Sequence, residues 1–386
     1  MASRWTNSLL AASGLVAALL TGCQAGPSEA GATPTSALTS APTPSETLRP
    51  PPASAFATTC EQVLPLVDIQ SLLGPDVVPL PFLGAGAHHP WLMRTTAAVQ
   101  DGALVCRWGT PDSPAGTLSL FALAGGGDAY ERVIATLTTY PYDYVAADQF
   151  DGVLTSCRDA YAPDGNACHW YVRAGDVWLS VEFRHLPASE VVIPEERETP
   201  DGLLPITAII EGSRSFDLIG TAVDALLTAD RREVPQVESS VNCAALTTDE
   251  VAAAMSLPSQ DVRGREVVGV EEAVGSSTGA DGGALWALSY ERLGFSSCVY
   301  STSTYAHVTA LTAPGAAWVF DHPSISSPPI RPVGDLGDGY LSCGFDEGGT
   351  YCTASIARGE DVYLVEIGPH EATEELAVAL LRALLP

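Results

Sequence analysis

Apolar residues recur at intervals of three and four residues in several segments of this chain, which is the spacing of an amphipathic helix. The first such segment stops at Gly74 and Pro75, two residues that disfavour continuation of a helix. In a later segment, Thr247 and Glu250 have the spacing of a capping box. The pattern predicts helices over 66–73, 128–137, 216–227 and 376–384, and a helix just after Thr247.

Shorter apolar runs lie between the predicted helices and are typical of strands. Turn-forming residues at 164–166 and at 347–349 separate further pairs of runs, which predicts a β-hairpin at each position. Helices and strands in this arrangement predict an α+β fold with a mainly antiparallel sheet. The predicted strands include 104–108, 117–123, 285–290 and 297–300.

The same order of segments occurs twice in the chain. Eight of the nine cysteines form two sets of four, whose matching members lie between 183 and 192 residues apart. Short sequence motifs recur together with these cysteines: 154–157 matches 340–343, and Asp176-Val-Trp-Leu matches Asp361-Val-Tyr-Leu. We therefore predict a tandem duplication of one α+β domain. The predicted division is a first domain at 58–229, a linker at 230–240 and a second domain at 241–386.

The first copy carries an insert at 186–214 that has no counterpart in the second copy. The insert is acidic, contains proline and has an apolar stretch at 203–210. One interpretation is a surface excursion that adds an edge strand to the sheet. The alternative is a lid or a partner-binding arm.

The N-terminal segment has the pattern of an export signal. Arg4 is the only charged residue before an apolar run of about twelve residues, which is too short to cross about 30 Å of hydrocarbon as a helix. The run ends in Leu20-Thr-Gly-Cys23, which closely resembles the lipobox of bacterial lipoproteins. We predict a signal peptide at 1–22 and lipidation of Cys23, which places the protein on the extracytoplasmic face of the cell membrane. An ordinary secretion signal with an incidental cysteine is the alternative.

The residues after Cys23 are rich in proline, serine and threonine up to about residue 57. Such a segment buries too little apolar surface to offset the entropy of ordering, and its prolines favour extended conformations. We predict a tether at 23–57 with a maximal reach of about 100 Å.

The amino-acid composition excludes some types of catalytic and binding site. The 386 residues include 46 acidic and 18 basic residues, and every basic residue is arginine. The absence of lysine excludes catalysis by a lysine and a Walker-type phosphate site. A net charge of −28 argues against nucleic acid as a partner, because binding to phosphates requires a basic surface.

The two cysteine sets predict a disulfide framework, because exported domains with even cysteine counts oxidise. Each set allows three pairings, and the predicted hairpins favour pairing the third cysteine with the fourth, on adjacent strands. A zinc site is disfavoured because the spacings lack a C-x-x-C motif. The favoured pairs are Cys60–Cys106, Cys157–Cys168, Cys243–Cys298 and Cys343–Cys352.

Motifs for catalysis, metals or cofactors do not fit their required contexts, so we predict none. Gly275-Ser-Ser277-Thr-Gly279 matches G-x-S-x-G, but the glycines after it do not favour the helix that a nucleophile elbow needs. Acidic runs at 335–339 and 159–165 lack the alternating pattern of a calcium loop and are interpreted as turns. The histidines lack metal-ligand spacing and are interpreted as core or solvated residues: His88, His89, His169, His185, His307, His322 and His370.

Three tyrosines form the candidate binding surface. Tyr140, Tyr142 and Tyr144 occupy every second position, so an extended segment would present three rings on one side, with Asp143 opposite. Rings presented in this way make stacking and partner contacts. The alternative is an aromatic strand that packs on the sheet.

The lipobox, the tether, Cys243-Ala-Ala-Leu246 and the cysteine before Arg107-Trp108 resemble the actinobacterial Cys-rich lipoproteins of unknown function. The layout is similar to LpqN-type lipoproteins and to the extracellular sensor domains of some mycobacterial Ser/Thr kinases. Tyr300 stands in the second copy where the first has Trp108. The resemblance implies two disulfides on a sheet backed by helices, and it implies binding or sensing in the envelope.

The sequence therefore predicts a lipid-anchored extracytoplasmic protein with a non-catalytic binding or sensor-like role. Its partner would be an envelope protein or a small ligand, held in one copy or between the two. A secreted hydrolase or accessory enzyme of the envelope is the alternative, and a structural envelope component is a third hypothesis.

Overall fold

A computed structural model gives the fold of the chain for fifteen segments. These are residues 49–82, 89–111, 117–137, 145–147, 150–159, 166–187, 190–199, 202–209, 213–234, 246–267, 283–302, 307–322, 331–346, 349–368 and 372–385. The signal peptide, Cys23, the three tyrosines at 140–144, Cys243 and the G-x-S-x-G string lie outside the described residues.

The first half of the fold runs from α1 to α5. Its helices are α1 (Cys60–Val63), α2 (Leu66–Leu73), α3 (His89–Gln100), α4 (Gly127–Leu137) and α5 (Arg214–Thr228). Its strands are β1 (Val78–Pro79), β2 (Leu104–Gly109), β3 (Thr117–Leu123), β4 (Val145–Ala147), β5 (Gly152–Asp159), β6 (Asn166–Ala174), β7 (Val177–Arg184), β8 (Val191–Thr199) and β9 (Gly202–Ile209).

The second half runs from α6 to α8. Its helices are α6 (Thr248–Ala254), α7 (Gly283–Leu293) and α8 (Glu374–Leu384), with 3₁₀ turns at Ser259–Asp261 and Ala316–Asp321. Its strands are β10 (Val262–Val267), β11 (Ser296–Thr302), β12 (His307–Ala313), β13 (Arg331–Pro332), β14 (Asp338–Asp346), β15 (Gly349–Arg358) and β16 (Asp361–Gly368).

Each half contains one antiparallel sheet, which confirms the predicted α+β class. The first sheet has the order β1-β2-β3-β7-β6-β5-β9-β8, with β4 paired to β5. The second has the order β10-β11-β12-β16-β15-β14-β13. Without β8 and β9, the two sheets therefore have the same strand order.

The pairing of the strands differs by one residue from one of the sequence matches between the two copies. In the hairpin β6–β7, Ala174 pairs with Val177, and in β15–β16, Arg358 pairs with Asp361. Val177 therefore corresponds to Asp361 in the sheets, whereas the matching sequence motifs align Asp176 with Asp361. A shift of one residue turns a side chain to the other face. Accordingly, Trp178 packs towards the centre of the molecule and Tyr363 packs towards the outside.

The outer face of each sheet carries its own helices. In the first half, α1, α2 and α5 cover strand residues such as Trp108 and Phe183. In the second half, α6 and α8 cover residues such as Val365 and Ile367. The predicted capping box of Thr247 and Glu250 is present at the start of α6, and α2 ends at Gly74 as predicted.

Disulfides join these elements as the favoured pairing predicted. Cys60 at the start of α1 is bonded to Cys106 on β2, and Cys343 is bonded to Cys352 across the hairpin β14–β15. Cys168 and Cys298 are also disulfide-bonded. Cys157 lies directly opposite Cys168 in the register of β5 and β6.

The inner faces of the two sheets share a central layer that contains α3 and α7. Residues 285–290, predicted as a strand, belong to the helix α7, so that prediction is wrong. Leu285 and Leu288 pack in a cluster with residues of the first sheet, and Leu293 packs in a cluster with residues of the second. A helix that is buried on two sides has an apolar run without a polar stripe, and periodicity does not distinguish such a run from a buried strand.

The central layer joins the halves into one compact unit, Leu48–Pro386. Ala98 of α3 lies in the same apolar cluster as Leu288 of α7, and Val99 lies in the same cluster as Tyr290. The division at 230–240 stays a prediction, because the presence of two sheets does not by itself show that the two halves fold as separate domains. What the contacts do show is that each half buries part of its inner face against the other half.

The insert forms the hairpin β8–β9 at one edge of the first sheet, where β9 meets β5 at Thr207 and Cys157. Pro194, a bulge between Val192 and Glu195 and a charged run at 195–198 occur on the outermost strand. These are devices that prevent an edge from pairing with another chain. The hairpin is thus an addition of two strands to the sheet edge.

A short segment at 49–57, which we name the strap, packs on the folded part instead of ending the tether. Ala55 donates a backbone hydrogen bond to Gly102 (2.7 Å) and accepts one from Arg232 (2.7 Å). The Phe56 ring is fully buried beneath the Arg231 guanidinium, 4.1 Å from the ring centre. Backbone pairing and burial thus begin before residue 57, and the predicted bounds of the tether stay a prediction. Among the described residues, no helix is long and apolar enough to cross a membrane.

Replacing Phe56 by alanine tests whether the strap is part of the core. We expect F56A to lower the free energy of unfolding by about 3 kcal/mol, because a fully buried ring leaves a cavity. The control V67A removes an apolar side chain that is 69% exposed and should change stability little. Equal urea midpoints for the two variants would show that the strap is only the end of a tether.

Candidate functional site

A group of polar residues lies on the inner face of the first sheet. Arg107 on β2 pairs with Ser119 on β3, and Ser119 pairs with Glu182 on β7. Arg184 follows two residues after Glu182 and therefore points to the same side of the sheet. We name Arg107, Ser119, Glu182 and Arg184 the inner-face patch.

The inner-face patch is the part of this face that the central layer leaves open. Leu123 and Trp178, at the other end of the same strands, are completely buried against the central layer. Ser119 and Arg107 are half-buried, and the Arg184 side chain is 50% exposed. Solvent therefore reaches the inner face at the patch and not at Trp178.

The charges of the inner-face patch are closely coupled. The Arg184 Nε donates a 2.7 Å hydrogen bond to Glu182 Oε1. Burial lowers the pKa of Arg107, the neighbouring charge of Arg184 lowers it further, and Glu182 opposes both effects. Among the described residues, two guanidinium groups and one carboxylate thus share a partly dehydrated surface, and guanidinium groups are the side chains best suited to recognise anions.

A serine–histidine pair lies beside the inner-face patch. His169 Nε2 is 3.0 Å from Ser180 Oγ, and Glu182 is directly opposite His169 in the register of β6 and β7. These residue types are those of an acyl-transfer triad. However, Ser180 is 1% exposed and His169 is 5% exposed, so the hydroxyl is enclosed by the protein. In this conformation the pair is a buried polar contact.

A second polar group joins the halves at the ends of α3 and α7. Gln100 donates to the carbonyl of Pro314 (2.8 Å) and accepts a hydrogen bond from the Trp318 indole (3.2 Å). Beside it, Arg292 lies 3.4 Å from Asp101, whose side chain is only 3% exposed. These contacts satisfy polar groups inside the interface, as buried polar groups require.

Burial raises the pKa of Asp101 to about 6, and this effect exceeds the opposite effects of Arg292 and Ser289. Removing a carboxylate from water disfavours its charged form, and one ion partner at 3.4 Å with a serine hydrogen bond compensates only in part. Asp101 is therefore a titrating group inside the contact between the halves.

The second sheet has a related position with different residues. Thr309 pairs with Glu366, and Thr353 pairs with Glu366 on the other side. Glu366 occupies the sheet position of Glu182, while Val299 occupies that of Arg107. The arginines of the inner-face patch are therefore specific to the first half.

Other residues considered in the sequence have ordinary contacts. Asp335 forms an ion pair with Arg382, and this pairing lowers the pKa of Asp335. His322 lies against the rings of Phe82 and Trp318. Among the described residues, no three His, Cys, Asp or Glu side chains converge on a metal position.

No protein-family model, curated protein or solved structure matches this chain. The candidate site therefore depends on geometry alone. The sequence had marked Arg107 only as part of a cysteine motif and had not marked Glu182 or Arg184. Alternating polar residues on β7 were the available signal, but only strand order shows that β7 and β2 flank the same third strand.

Proposed function

We propose that this chain is a lipid-anchored, extracytoplasmic protein of the cell envelope with a non-catalytic binding or sensor-like role. The inner-face patch is the observation that carries the binding role. Its ligand is a small molecule, or a group on an envelope partner, that presents an anion.

Export is supported by the disulfides. Cys60–Cys106 ties the first helix to the first sheet, and Cys343–Cys352 ties a hairpin of the second. Disulfides persist in oxidising compartments and are rare in reducing ones. The lipobox-like Cys23 then supplies the anchor, and the residues that follow it supply the tether.

The binding role is supported by an excess of positive charge among the described residues of the inner-face patch. The whole chain carries a net charge of −28, so its average surface repels anions. Arg107 and Arg184 nevertheless lie on one half-open sheet face, together with Glu182. Placing two guanidinium groups together on a partly buried surface is unfavourable, and a bound anion relieves this.

We also infer that the two halves arose by duplication. The identical order of seven strands supports this inference, as do the corresponding positions of Cys106 and Cys298 on the second strand of each sheet. The arginines of the inner-face patch would then have been gained or kept in one copy only.

Titration with simple anions tests the inner-face patch. Inorganic phosphate and succinate are added to the protein in thermal unfolding experiments, with chloride at equal ionic strength as the reference. We expect a saturable rise in Tm with one of the two, of roughly 2–4 °C at ten times Kd. R107Q should abolish the rise, because it removes one of the two guanidinium groups.

R382Q is the matched control, since Arg382 is 52% exposed and is also paired with a carboxylate. It should respond to the anion as the parent protein does. Equal responses in R107Q and R382Q, or the absence of any saturable response, would contradict the proposed site.

The anchor is tested separately by replacing Cys23 with alanine. We expect C23A to appear in the soluble fraction of the cell, whereas the parent protein sediments with membranes, because the acyl chains are lost. Membrane association of C23A equal to that of the parent would contradict lipidation at this cysteine.

A secreted hydrolase is the second candidate, because of the Ser180–His169 hydrogen bond. A fluorophosphonate probe distinguishes the two functions, since it labels an activated serine covalently. We expect no labelling of the protein, as Ser180 is enclosed. Labelling that S180A abolishes would establish the enzyme and overturn the non-catalytic proposal.

A further inference from the structure

The contact between Asp101 and Arg292 is a charged and buried part of the junction between the halves. Asp101 directly follows α3, and Arg292 lies in the last turn of α7. Arg292 Nη1 is 3.4 Å from Asp101 Oδ2 and donates a 3.1 Å hydrogen bond to the carbonyl of Ala124. Its Nη2 donates to the carbonyl of Gly125. One side chain of the second half is thus bound to three residues of the first.

The surroundings of Asp101 contain no second cation among the described contacts. From α7, Arg292 and Ser289 face the carboxylate. The 124–125 segment supplies only carbonyl oxygens to this junction. On the other side, Gly102 packs against the apolar side chains of Val234 and Ala55.

A neighbouring ion pair, Arg132 with Glu291, also joins the halves. It differs from Asp101–Arg292 in its hydration, since the Arg132 and Glu291 side chains are 44% and 38% exposed. Water screens such a pair and weakens its contribution to the contact. Of these two described pairs, Asp101–Arg292 is therefore the one whose carboxylate is buried in the junction.

We propose that Asp101 is a latch between the two halves: in its protonated form it tightens their contact, and in its ionised form it loosens it. The geometry gives the reason. A neutral carboxyl at this position keeps its hydrogen bonds and has no charge to dehydrate, whereas the carboxylate loses its water for one ion partner.

The direction with pH follows from the shift of the pKa of Asp101 from 3.8 to about 6. Because the pKa is raised in the closed junction, the closed form binds more protons than the open form between about pH 4 and 6. The contribution of Asp101 to closure is complete below pH 4 and is lost as the pH rises through 6. Acidification therefore closes the junction.

Opening of the junction affects the inner face of the first sheet. Leu288 of α7 packs in the same cluster as Trp178, Tyr171 and Leu123, which lie on the face that also bears the inner-face patch. A looser junction exposes more of this face. This consequence rests on the proposed binding role of the patch, but the latch itself depends only on the junction.

Hydrogen–deuterium exchange of the purified protein tests the latch. Exchange of the 89–100 and 283–293 amides is measured at pH 4.5 and 7.5 and corrected for intrinsic rates. We expect the opening constant of the parent protein to be more than about tenfold larger at pH 7.5. In D101N, a neutral side chain of the same shape, the two values should agree within about twofold.

The control is D176N. Asp176 also pairs with an arginine, Arg231, but its side chain is 64% exposed. D176N should show the same pH dependence as the parent protein. A pH-independent parent, or a D101N variant with the parent's dependence, would overturn the latch.

The titration of Asp101 can also be read directly from its carboxyl ¹³C chemical shift, without any variant. A midpoint near 6 is expected. A midpoint below 4.5 would overturn the proposal even if D101N failed to fold. Loss of anion binding by R107Q bears only on the inner-face patch, so the two proposals fail separately.

Discussion

The fold depends on how two antiparallel sheets cover their inner faces. Each sheet has outer helices of its own, but the inner faces rely on a layer that contains α3 from one half and α7 from the other. These two helices must therefore be apolar on more than one side. Small residues such as Ala97 and Ala98, both fully buried, let α3 fit between neighbours on both sides. A charge at the end of such a layer lies close to an apolar surface, which explains why burial raises the pKa of Asp101.

Burial of the inner faces against the central layer also separates polar residues with a structural role from polar residues that solvent can reach. Near the centre, Gln100 and Asp101 are bonded across the junction, and Ser180 and His169 are bonded to each other within one sheet. Farther along the same strands, Arg184 reaches water. Burial thus assigns different roles to side chains that alternate along a single strand, and it favours recognition at the inner-face patch over chemistry at Ser180.

Local signals predicted the outer elements well, because their patterns arise from one buried and one exposed side. The helix after Thr247, the hairpin between Cys343 and Cys352 and the stop at Gly74 all belong to this group. The central layer was missed or misread, since helices buried on two sides have no amphipathic period. The inner-face patch depends on which strands are neighbours, and a single sequence contains little information about pairing over long distances.

The strap determines where a force on the N-terminal side of the chain would act first. Arg49 binds Asp321 (2.6 Å) and the carbonyl of Gly359 (3.1 Å), both in the second half, before the chain reaches Gly102 and Asp230 of the first half. Tension applied ahead of Arg49 is therefore taken up by the second half and passed across the junction to the first. Breaking the Arg49 contacts would move the first point of attachment to Ala55, which pairs with Gly102 of the first half, so that the load would no longer enter through the second half.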